Sequence, residues 1–279
     1  MLRSLWTAAT GMRAQQTNVD TIANNLANVN TTGYKTEVNE FKSLLYQTIQ
    51  TKTTTANGAQ KPIGAQVGLG VRNASITSIF TDGALLANES DTAFALSGRG
   101  FFSVKGEDGN TYYTRSGDFK WAINSTGGIM LTNSDGLPVL DTNGNALSFD
   151  STKYIASEIT VTANGTFCYP DEANNPQPIL NAQGNETRFG IFQFNNPAGL
   201  EKEDSGLFSV SAASGAALNE ETTAGIERSR VSQGYLEGSN VQVVDEMVNL
   251  ITAQRAYELN SKAITASDEM LQQANNLRR

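Results

Sequence analysis

Mostly apolar residues recur at alternating spacings of three and four residues at both ends of this 279-residue chain. The N-terminal series is Leu2, Leu5, Ala9, Met12, Gln16, Val19, Ala23 and Leu26, and the C-terminal series is Met247, Leu250, Gln254, Tyr257, Ser261, Ile264, Asp268 and Leu271. A repeat of about 3.5 residues is the a/d seam of a coiled coil. Two matched helices at opposite ends are therefore predicted to pair with each other, and packing of each helix against a central domain is the alternative.

Both predicted seams contain polar side chains. Amides are concentrated at the end of the first helix, at Asn24, Asn25, Asn28 and Asn30. An amide in a seam stabilises less than leucine does, but it fixes register and partner number, because a misaligned amide is buried without a partner. The first helix is predicted from about Ser4 to Val29, with Gly33 in a left-handed conformation after it. Ser239 or Asn240 is predicted to cap the second helix.

Short β-strands are predicted between residues 71 and 234. Turn dipeptides such as Asp108-Gly109 and Asn143-Gly144 separate aromatic or β-branched runs such as FFSVK and TYYTR. This pattern is typical of hairpins in an antiparallel sandwich or barrel. The predicted fold class is therefore α+β, with a discontinuous coiled coil of the paired terminal helices and a central all-β domain. The predicted domains are a terminal-helix domain at 1–46 and 235–279, an extended linker or arm at 47–70 and the β domain at 71–234.

Composition removes most catalytic chemistry. The chain has no histidine and a single cysteine, Cys168, which excludes His-based nucleophile pairs, multi-cysteine metal sites and an internal disulfide. Its formal charge of -8 disfavours a nucleic-acid surface. Carboxylates such as Asp91, Glu107 and Asp118 show no spacing that singles out a catalytic pair. No enzyme activity, metal or cofactor is predicted.

Targeting rules applied to the sequence alone predict a cytosolic chain. No apolar run approaches the roughly 18 residues that a membrane-spanning helix needs. The N-terminal stretch MLRSLWTAATGMRAQQ lacks the continuous apolar region of a secretory signal peptide. Membrane insertion is therefore not predicted.

Several stretches resemble the bacterial flagellar basal-body rod and hook family. ANNLANVNTTGYK matches the family's rod-protein motif at Asn25, Leu26, Asn28, Thr31, Gly33, Tyr34 and Lys35. SNVQVVDEMVNLITAQRAYELNSKAI resembles its C-terminal domain at Ser239, Asn240, Val241, Glu246, Gln254, Arg255, Ala256, Tyr257, Asn260 and Lys262. SGRGFFSV and YTRSGDF resemble its middle motif, and SLWTAATGM and FKSLLYQTI favour the distal rod members.

The resemblance implies a structural subunit of the distal rod that polymerises helically into a rigid hollow shaft and transmits torque from motor to hook. It implies export by the flagellar type III apparatus without a cleaved signal peptide, which replaces the cytosolic prediction with the flagellar basal body. Implied partners are further copies of the chain, other rod proteins, the hook protein, the export apparatus and surrounding ring proteins. A proximal rod or hook subunit is the alternative within the family. An envelope- or glycan-binding β module that its helices oligomerise is the alternative from a different class.

Residues of both terminal helices are predicted to form the interface between copies. The amides would hydrogen-bond between subunits and set their stagger, whereas the apolar side chains would supply buried area. The predicted interface residues are Leu5, Met12, Val19, Ile22, Asn24, Asn25, Leu26, Asn28, Val29, Val244, Met247, Ile251, Gln254, Tyr257, Asn260, Ile264 and Leu271. Both ends are expected to order fully only on assembly. By resemblance, the arm at 48–66 is expected to stiffen the tube by cross-linking neighbours.

Overall fold

The chain forms two compact units in the computed structural model, which describes residues 2–50, 64–124, 127–171, 175–181 and 184–277. The first comprises Met1–Ala27, Glu37–Ser78 and Val241–Arg279 and is called the helical unit below. The second comprises Asn28–Thr36 and Ile79–Asn240 and is called the β unit.

The helical unit contains two long helices and two antiparallel strand pairs. The helices are α1 (Leu2–Ala27) and α2 (Val243–Asn276), and the strands are β1 (Glu37–Ser43), β2 (Tyr46–Gln50), β3 (Ala65–Gly68) and β4 (Val71–Ser78). β1 pairs with β4, and β2 pairs with β3. The predicted arm at 48–66 therefore lies partly in the β2–β3 ribbon, and its residues 51–63 lie outside the described residues.

The two helices contact each other in antiparallel register. Ser4 Oγ lies 3.3 Å from Ser267 Oγ, and Asn25 Nδ2 donates a 3.3 Å hydrogen bond to Glu246 Oε1. Between these pairs, a Cβ atom on Gly11 would lie 2.9 Å from Nδ2 of Asn260. The three contact levels are seven and then fourteen residues apart on both helices. This sevenfold spacing agrees with a heptad repeat, while interlocking of side chains as in a coiled coil stays a prediction.

At every second position of the predicted seam, the buried side chain belongs to the residue one position earlier in the sequence. The prediction placed Ala9, Gln16 and Ala23 of α1 and Met247, Gln254 and Asp268 of α2 in the seam, but most of these side chains are exposed. The buried side chains at these levels lie one residue earlier and include Ala8 and Ile22 of α1 and Glu246, Ala253 and Ser267 of α2. Small side chains at the contact let the two helix backbones approach closely, and bulkier neighbours are turned outward.

Helix α2 begins at Val243, and the predicted cap is wrong. Gln242 occupies the N-cap position and its side chain makes no capping hydrogen bond. Asn240 is instead bound within the β unit, where its Oδ1 accepts from the backbone nitrogen of Thr36 at 2.7 Å and its Nδ2 donates to Thr81 Oγ1 at 2.8 Å. The side chain of Asn240 is therefore hydrogen-bonded to Thr36 and Thr81 and does not cap α2.

The β unit consists of short antiparallel strands, as the turn pattern predicts. Its strands are β5 (Leu85–Ala87), β6 (Phe94–Ser97), β7 (Phe101–Lys105), β8 (Thr111–Thr114), β9 (Lys120–Ile123), β10 (Ile129–Thr132), β11 (Ser148–Phe149), β12 (Thr160–Val161), β13 (Phe167–Pro170), β14 (Pro176–Pro178), β15 (Ile191–Gln193), β16 (Glu201–Lys202), β17 (Leu207–Ser209), β18 (Leu218–Asn219), β19 (Arg230–Gln233) and β20 (Tyr235–Glu237). The largest sheet has the order β16-β17-β8-β7-β15-β18. Three-stranded sheets β11-β10-β9 and β12-β13-β14 and the pairs β19-β6 and β20-β5 complete the unit.

Both faces of strand β7 are buried, which organises the core of the β unit. Successive side chains of a strand point to opposite faces. Phe102 accordingly packs in one cluster, 5.2 Å from the ring of Phe119, and Phe101 packs in another, 5.5 Å from the ring of Phe194. The aromatic run FFSVK therefore predicts a strand correctly and also marks the centre of the main sheet.

The compact units do not coincide with the predicted domains. Strand β4 belongs to the helical unit because it pairs along its length with β1. The segment Asn28–Thr36 belongs to the β unit, where the backbone nitrogen of Gly33 donates to the carbonyl of Glu237 at 2.8 Å. These unit boundaries depend on contacts between segments that are distant in sequence, and composition does not predict such contacts.

We predict that Ser267→Leu lowers the free energy of unfolding of the helical unit by about 1–3 kcal/mol, because the larger side chain overpacks the buried contact between Ser267 and Ser4 of α1. Urea unfolding followed by far-UV circular dichroism measures this change. Ala266→Leu is the matched control, since Ala266 is exposed on the same helix. Equal effects of the two substitutions would contradict the close helix contact.

Candidate assembly surface

An exposed apolar stripe runs along the first turns of α2. Val244, Met247, Val248 and Ile251 are spaced as one helical face and remain 74%, 52%, 58% and 56% exposed. These side chains lie beside the face that contacts α1, so closing the helix pair does not cover them. A contiguous apolar surface of this kind marks an interaction site in soluble proteins.

The strand ribbons and the start of α1 extend the apolar surface of the helical unit. Exposed large apolar side chains on these elements are Trp6, Val38, Phe41, Leu45, Tyr46, Ile49, Val67, Leu69 and Ile76. Trp6 is 69% exposed and Leu45 is 82% exposed. In the described part of the helical unit, the exposed large apolar side chains therefore outnumber the buried ones.

The predicted interface residues fall into three groups of exposure. The exposed ones are Asn24, Val244, Met247, Ile251, Gln254 and Tyr257. The half-buried ones are Leu5, Met12, Val19, Leu26, Asn28, Val29, Asn260, Ile264 and Leu271. Ile22 and Asn25 are buried inside the chain. Sequence periodicity thus does not distinguish the residues that are buried within the chain from those that remain exposed on its surface.

Asn25 makes hydrogen bonds within its own chain, and its role between copies stays a prediction. Its side chain is 1% exposed, donates to the carbonyl of Glu37 at 2.8 Å and accepts from the backbone nitrogen of Glu37 at 2.9 Å. It also donates to Glu246. This amide joins α1, β1 and α2, whereas the neighbouring Asn24 side chain is exposed and its Nδ2 lies 3.5 Å from Glu37 Oε2.

The family motif residues Gly33 and Lys35 are buried in the β unit. Lys35 Nζ pairs with Glu237 Oε1 at 2.5 Å, and each side chain is 1% exposed. Lys35 also donates to the carbonyl of Thr81 at 2.7 Å. Gly33 has a φ of 71°, and a Cβ atom there would lie 2.6 Å from the backbone nitrogen of Ser116, so only glycine fits. The predicted left-handed conformation of Gly33 is confirmed.

Arg115 completes a buried charge network with Lys35 and Glu237, which the sequence analysis did not identify. Its Nε lies 3.5 Å from Glu237 Oε2, its Nη2 pairs with Asp82 at 2.9 Å, and its Nη1 donates to the carbonyl of Gly100 at 2.8 Å. Two cations therefore face two carboxylates around this centre. The SGRGFF and YTRSGDF stretches contain Gly100 and Arg115. The family resemblance of these stretches was therefore the one sequence feature that pointed to Arg115.

The remaining motif residues form the turn that follows α1. Thr31 Oγ1 donates to Asn28 Oδ1 at 3.0 Å, and the backbone nitrogen of Tyr34 donates to the carbonyl of Thr31. Thr32 Oγ1 and Ser116 Oγ lie 3.1 Å apart. The motif therefore directs the chain from α1 into the β unit through local hydrogen bonds.

Burial shifts the pKa of three groups in these regions. Burial lowers the pKa of Lys35 from its ordinary value of 10.5 and nearby Arg115 lowers it further, while Glu237 opposes both effects. Burial raises the pKa of Glu246 above its ordinary value of 4.5, although the hydrogen bond from Asn25 opposes this shift. Burial also raises the pKa of Cys168, which keeps the thiol protonated near neutral pH.

The described residues contain no group of three or more Cys, Asp or Glu side chains arranged to hold a metal ion. Within the same residues, no helix has an 18-residue stretch apolar enough to span a membrane.

We predict that Lys35→Met lowers the free energy of unfolding by about 3 kcal/mol, because it leaves Glu237 buried with only the more distant Arg115 as a counter-charge. The double variant Lys35→Met with Glu237→Met should recover much of this loss, since the balanced Arg115–Asp82 pair remains. Chemical denaturation of the three proteins measures both effects. Lys42→Met, at an exposed lysine, is the control; a loss there equal to that of Lys35→Met would contradict the assignment.

We predict that Glu246→Gln stabilises the chain at pH 7. The folded chain binds the Glu246 proton more tightly than the unfolded chain does, so ionising Glu246 costs stability as pH rises from 4.5 through its raised folded pKa. Glutamine keeps an acceptor for Asn25 without that cost. The stability difference between variant and wild type should shrink at pH 4. Glu269→Gln, at an exposed carboxylate, should show no such difference, and a destabilised Glu246→Gln protein at pH 7 would refute the prediction.

Three family profiles match separate parts of the sequence. The profile of the flagella basal body rod protein matches residues 5–35, and that of the flagellar hook protein FlgE/F/G D1 domain matches residues 95–169. The profile of the flagellar basal body rod FlgEFG protein C-terminal region matches residues 232–277.

Full-length relatives carry related names. The flagellar basal-body rod protein FlgG of Borreliella burgdorferi is 44% identical, with 100% of each chain covered. FlgG of Agrobacterium fabrum is 41% identical over 96% of this chain and 97% of its own length. The flagellar hook-basal body complex protein FlhP of Bacillus subtilis is 34% identical over 100% of both chains. This chain belongs to the flagellar basal-body rod protein family.

Proposed function

We propose that this chain is the subunit of the distal rod and polymerises helically into a rigid hollow shaft that transmits torque from motor to hook. The observation that carries the proposal is the exposed apolar stripe Val244–Met247–Val248–Ile251 on α2. Membership of the rod-protein family supports a role in the flagellar basal body, and the stripe offers a surface that another copy can bury.

The stripe is suited to open-ended assembly. The stripe is an apolar surface on helix α2. The apolar surface that could contact it in another copy lies on the strand pairs β1–β4 and β2–β3, so the two surfaces differ in sequence and in secondary structure. Contact between two different surfaces is heterologous, and heterologous contacts that do not close into a ring build a filament. Apolar burial at about 25 cal/mol per Å² would supply most of the affinity. The exposed amides Asn24 and Gln254 would then fix the stagger between copies.

Further partners follow from the proposed role. These are other rod proteins, the hook protein, the surrounding ring proteins and the type III export apparatus, with export of the unfolded chain and no cleaved signal peptide. In this role the helices interlock as a coiled coil inside the tube, and the arm at 48–66 stiffens it by cross-linking neighbours. No nucleic acid, membrane insertion, cofactor or enzymatic step is part of the proposal.

A hook-type role within the family is the second candidate, favoured by the similarity to FlhP and by the hook D1 profile. Rod and hook differ in a property of the filament. Electron microscopy of filaments from the purified protein should show straight tubes for a rod subunit, and curved tubes would favour the hook.

We predict that Ile251→Asp abolishes filament formation without changing the melting temperature of the dilute chain. A carboxylate buried at the interface loses its hydration, and each 1.4 kcal/mol of that cost raises the concentration needed for assembly about tenfold. Sedimentation across a concentration series measures the effect. Ile123→Asp makes the same change at a position of the β unit that is 83% exposed, and it should leave assembly intact. Normal filaments from Ile251→Asp would contradict the proposed surface.

A further inference from the structure

A cleft of about 500 Å³ with a mixed polar and apolar lining opens within the helical unit between α1, β1 and α2. Along α1 it extends from Gln15 to Ile22, and its floor includes Asn39 of β1 and Ala253 of α2. Phe41, which is 41% exposed, stands at its edge. The cleft is large enough for a bulky side chain or for many waters, each of which takes about 30 Å³.

Asn39 is the unusual residue of this cleft. Its side chain is 7% exposed, and neither Oδ1 nor Nδ2 has a hydrogen-bond partner within the described residues. A buried amide without partners costs free energy, about 1–3 kcal/mol for each group left unsatisfied. A partner from outside the chain would remove that cost.

The cleft is also one-sided in charge. Glu37 and Glu246 line it, while its lining includes neither lysine nor arginine. Burial raises the pKa of Glu246, and the nearby Asp245 carboxylate raises it further. A suitable occupant therefore brings a hydrogen-bond donor for Asn39, an apolar body and a positive charge.

The first half of α1 presents these three properties on one exposed face. Arg3, Trp6 and Arg13 are exposed and lie within one side of the helix. The indole of Trp6 carries an N–H donor on a large apolar ring. Arg3 and Arg13 form no ion pair among the described residues. Trp6 and Arg13 are one heptad apart, about 10 Å along the helix, which is also the length of the cleft from Gln15 to Ile22.

We propose that the cleft of one copy receives Trp6 and Arg13 of a second copy. The polar atoms of the Asn39 amide are covered in the single chain, and the amide turns toward the occupant so that the indole N–H donates to its Oδ1. The ring packs between Phe41 and Ile22, and the guanidinium of Arg13 lies beside Glu37 and Glu246. The occupant comes from another copy because Trp6 precedes Gln15 by nine residues on the same straight helix, about 13 Å from its own cleft. This inference rests on the proposed polymerisation and names one contact that would build it.

The fluorescence of Trp6 tests the contact in the full-length chain. Trp121→Phe leaves Trp6 as the single tryptophan, since the chain has two. Filament formation should shift its emission to shorter wavelength and reduce acrylamide quenching several-fold. Adding Asn39→Ala should reduce both changes and raise the concentration required for assembly. Asn110→Ala, at an exposed asparagine of the β unit, should alter neither.

The stability of the dilute chain gives an independent readout of Asn39. Because its amide is unsatisfied in one copy, Asn39→Ala should leave the melting temperature unchanged or raise it. A lower melting temperature would show that Asn39 is satisfied within the single chain, for example by water, and would overturn the inference.

Cross-linking locates the contact and covers the case in which Asn39→Ala fails to fold. With Cys168 replaced by Ala, a tagged Trp6→Cys chain mixed with an untagged Phe41→Cys chain should form a mixed disulfide under assembly conditions. Ile123→Cys in place of Phe41→Cys should not. Filaments in which Trp6 stays as quenchable as in dilute solution, or in which no mixed disulfide forms, would refute the contact but leave the proposed function standing. Failure to form filaments at any concentration would refute both.

Discussion

The close antiparallel contact between α1 and α2 is the constraint on which the rest of the helical unit depends. Ser4 meets Ser267, Gly11 meets Asn260 and Asn25 meets Glu246 at levels that keep a sevenfold spacing. Side chains this small or polar bury little apolar area. They do let the helices approach, and they hold the register through hydrogen bonds that a slipped pair would lose.

The same arrangement leaves the larger apolar side chains of α2 without a partner in the chain. Val244, Met247, Val248 and Ile251 lie outside the helix contact and stay more than half exposed. The fold thus uses small residues to close the helix pair and leaves these bulky apolar residues exposed. The proposed filament would bury these side chains against another copy.

The β unit holds together segments that are far apart in sequence. Lys35 and Glu237 are separated by 202 residues, yet they form a buried pair beside Arg115. Removing one charge from such a group is costly, because the partner stays buried without compensation. The motif that carries the family resemblance therefore has a structural role in the β unit at Gly33 and Lys35, and the exposed apolar surface lies on other residues.

The fold class, the two long helices and many strands of the β unit could be predicted from the sequence because each has a local pattern. FFSVK becomes β7 over its full length, and IMLT becomes β10. The phase of the helix contact could not be predicted at every level, because Met247 is far more hydrophobic than Glu246, whereas the structure buries Glu246 with a hydrogen bond from Asn25. The hydrogen bonds of Asn25 within its own chain could not be predicted, because the amide can bond in the same way within a chain and between copies, and only the position of β1 reveals its partner Glu37. The Lys35–Glu237–Arg115 network joins three distant segments, so no local pattern reveals it.

Oxidation of Met247 tests most directly whether assembly buries the α2 stripe. A methionine is oxidised by peroxide according to its exposure, and Met247 is 52% exposed in the single chain. Peptide mass spectrometry after a brief peroxide pulse gives its rate of oxidation in dilute chains and in sedimented filaments. Our account predicts rapid oxidation in dilute solution and several-fold protection in filaments. Filaments in which Met247 is oxidised as fast as in the dilute chain would contradict it.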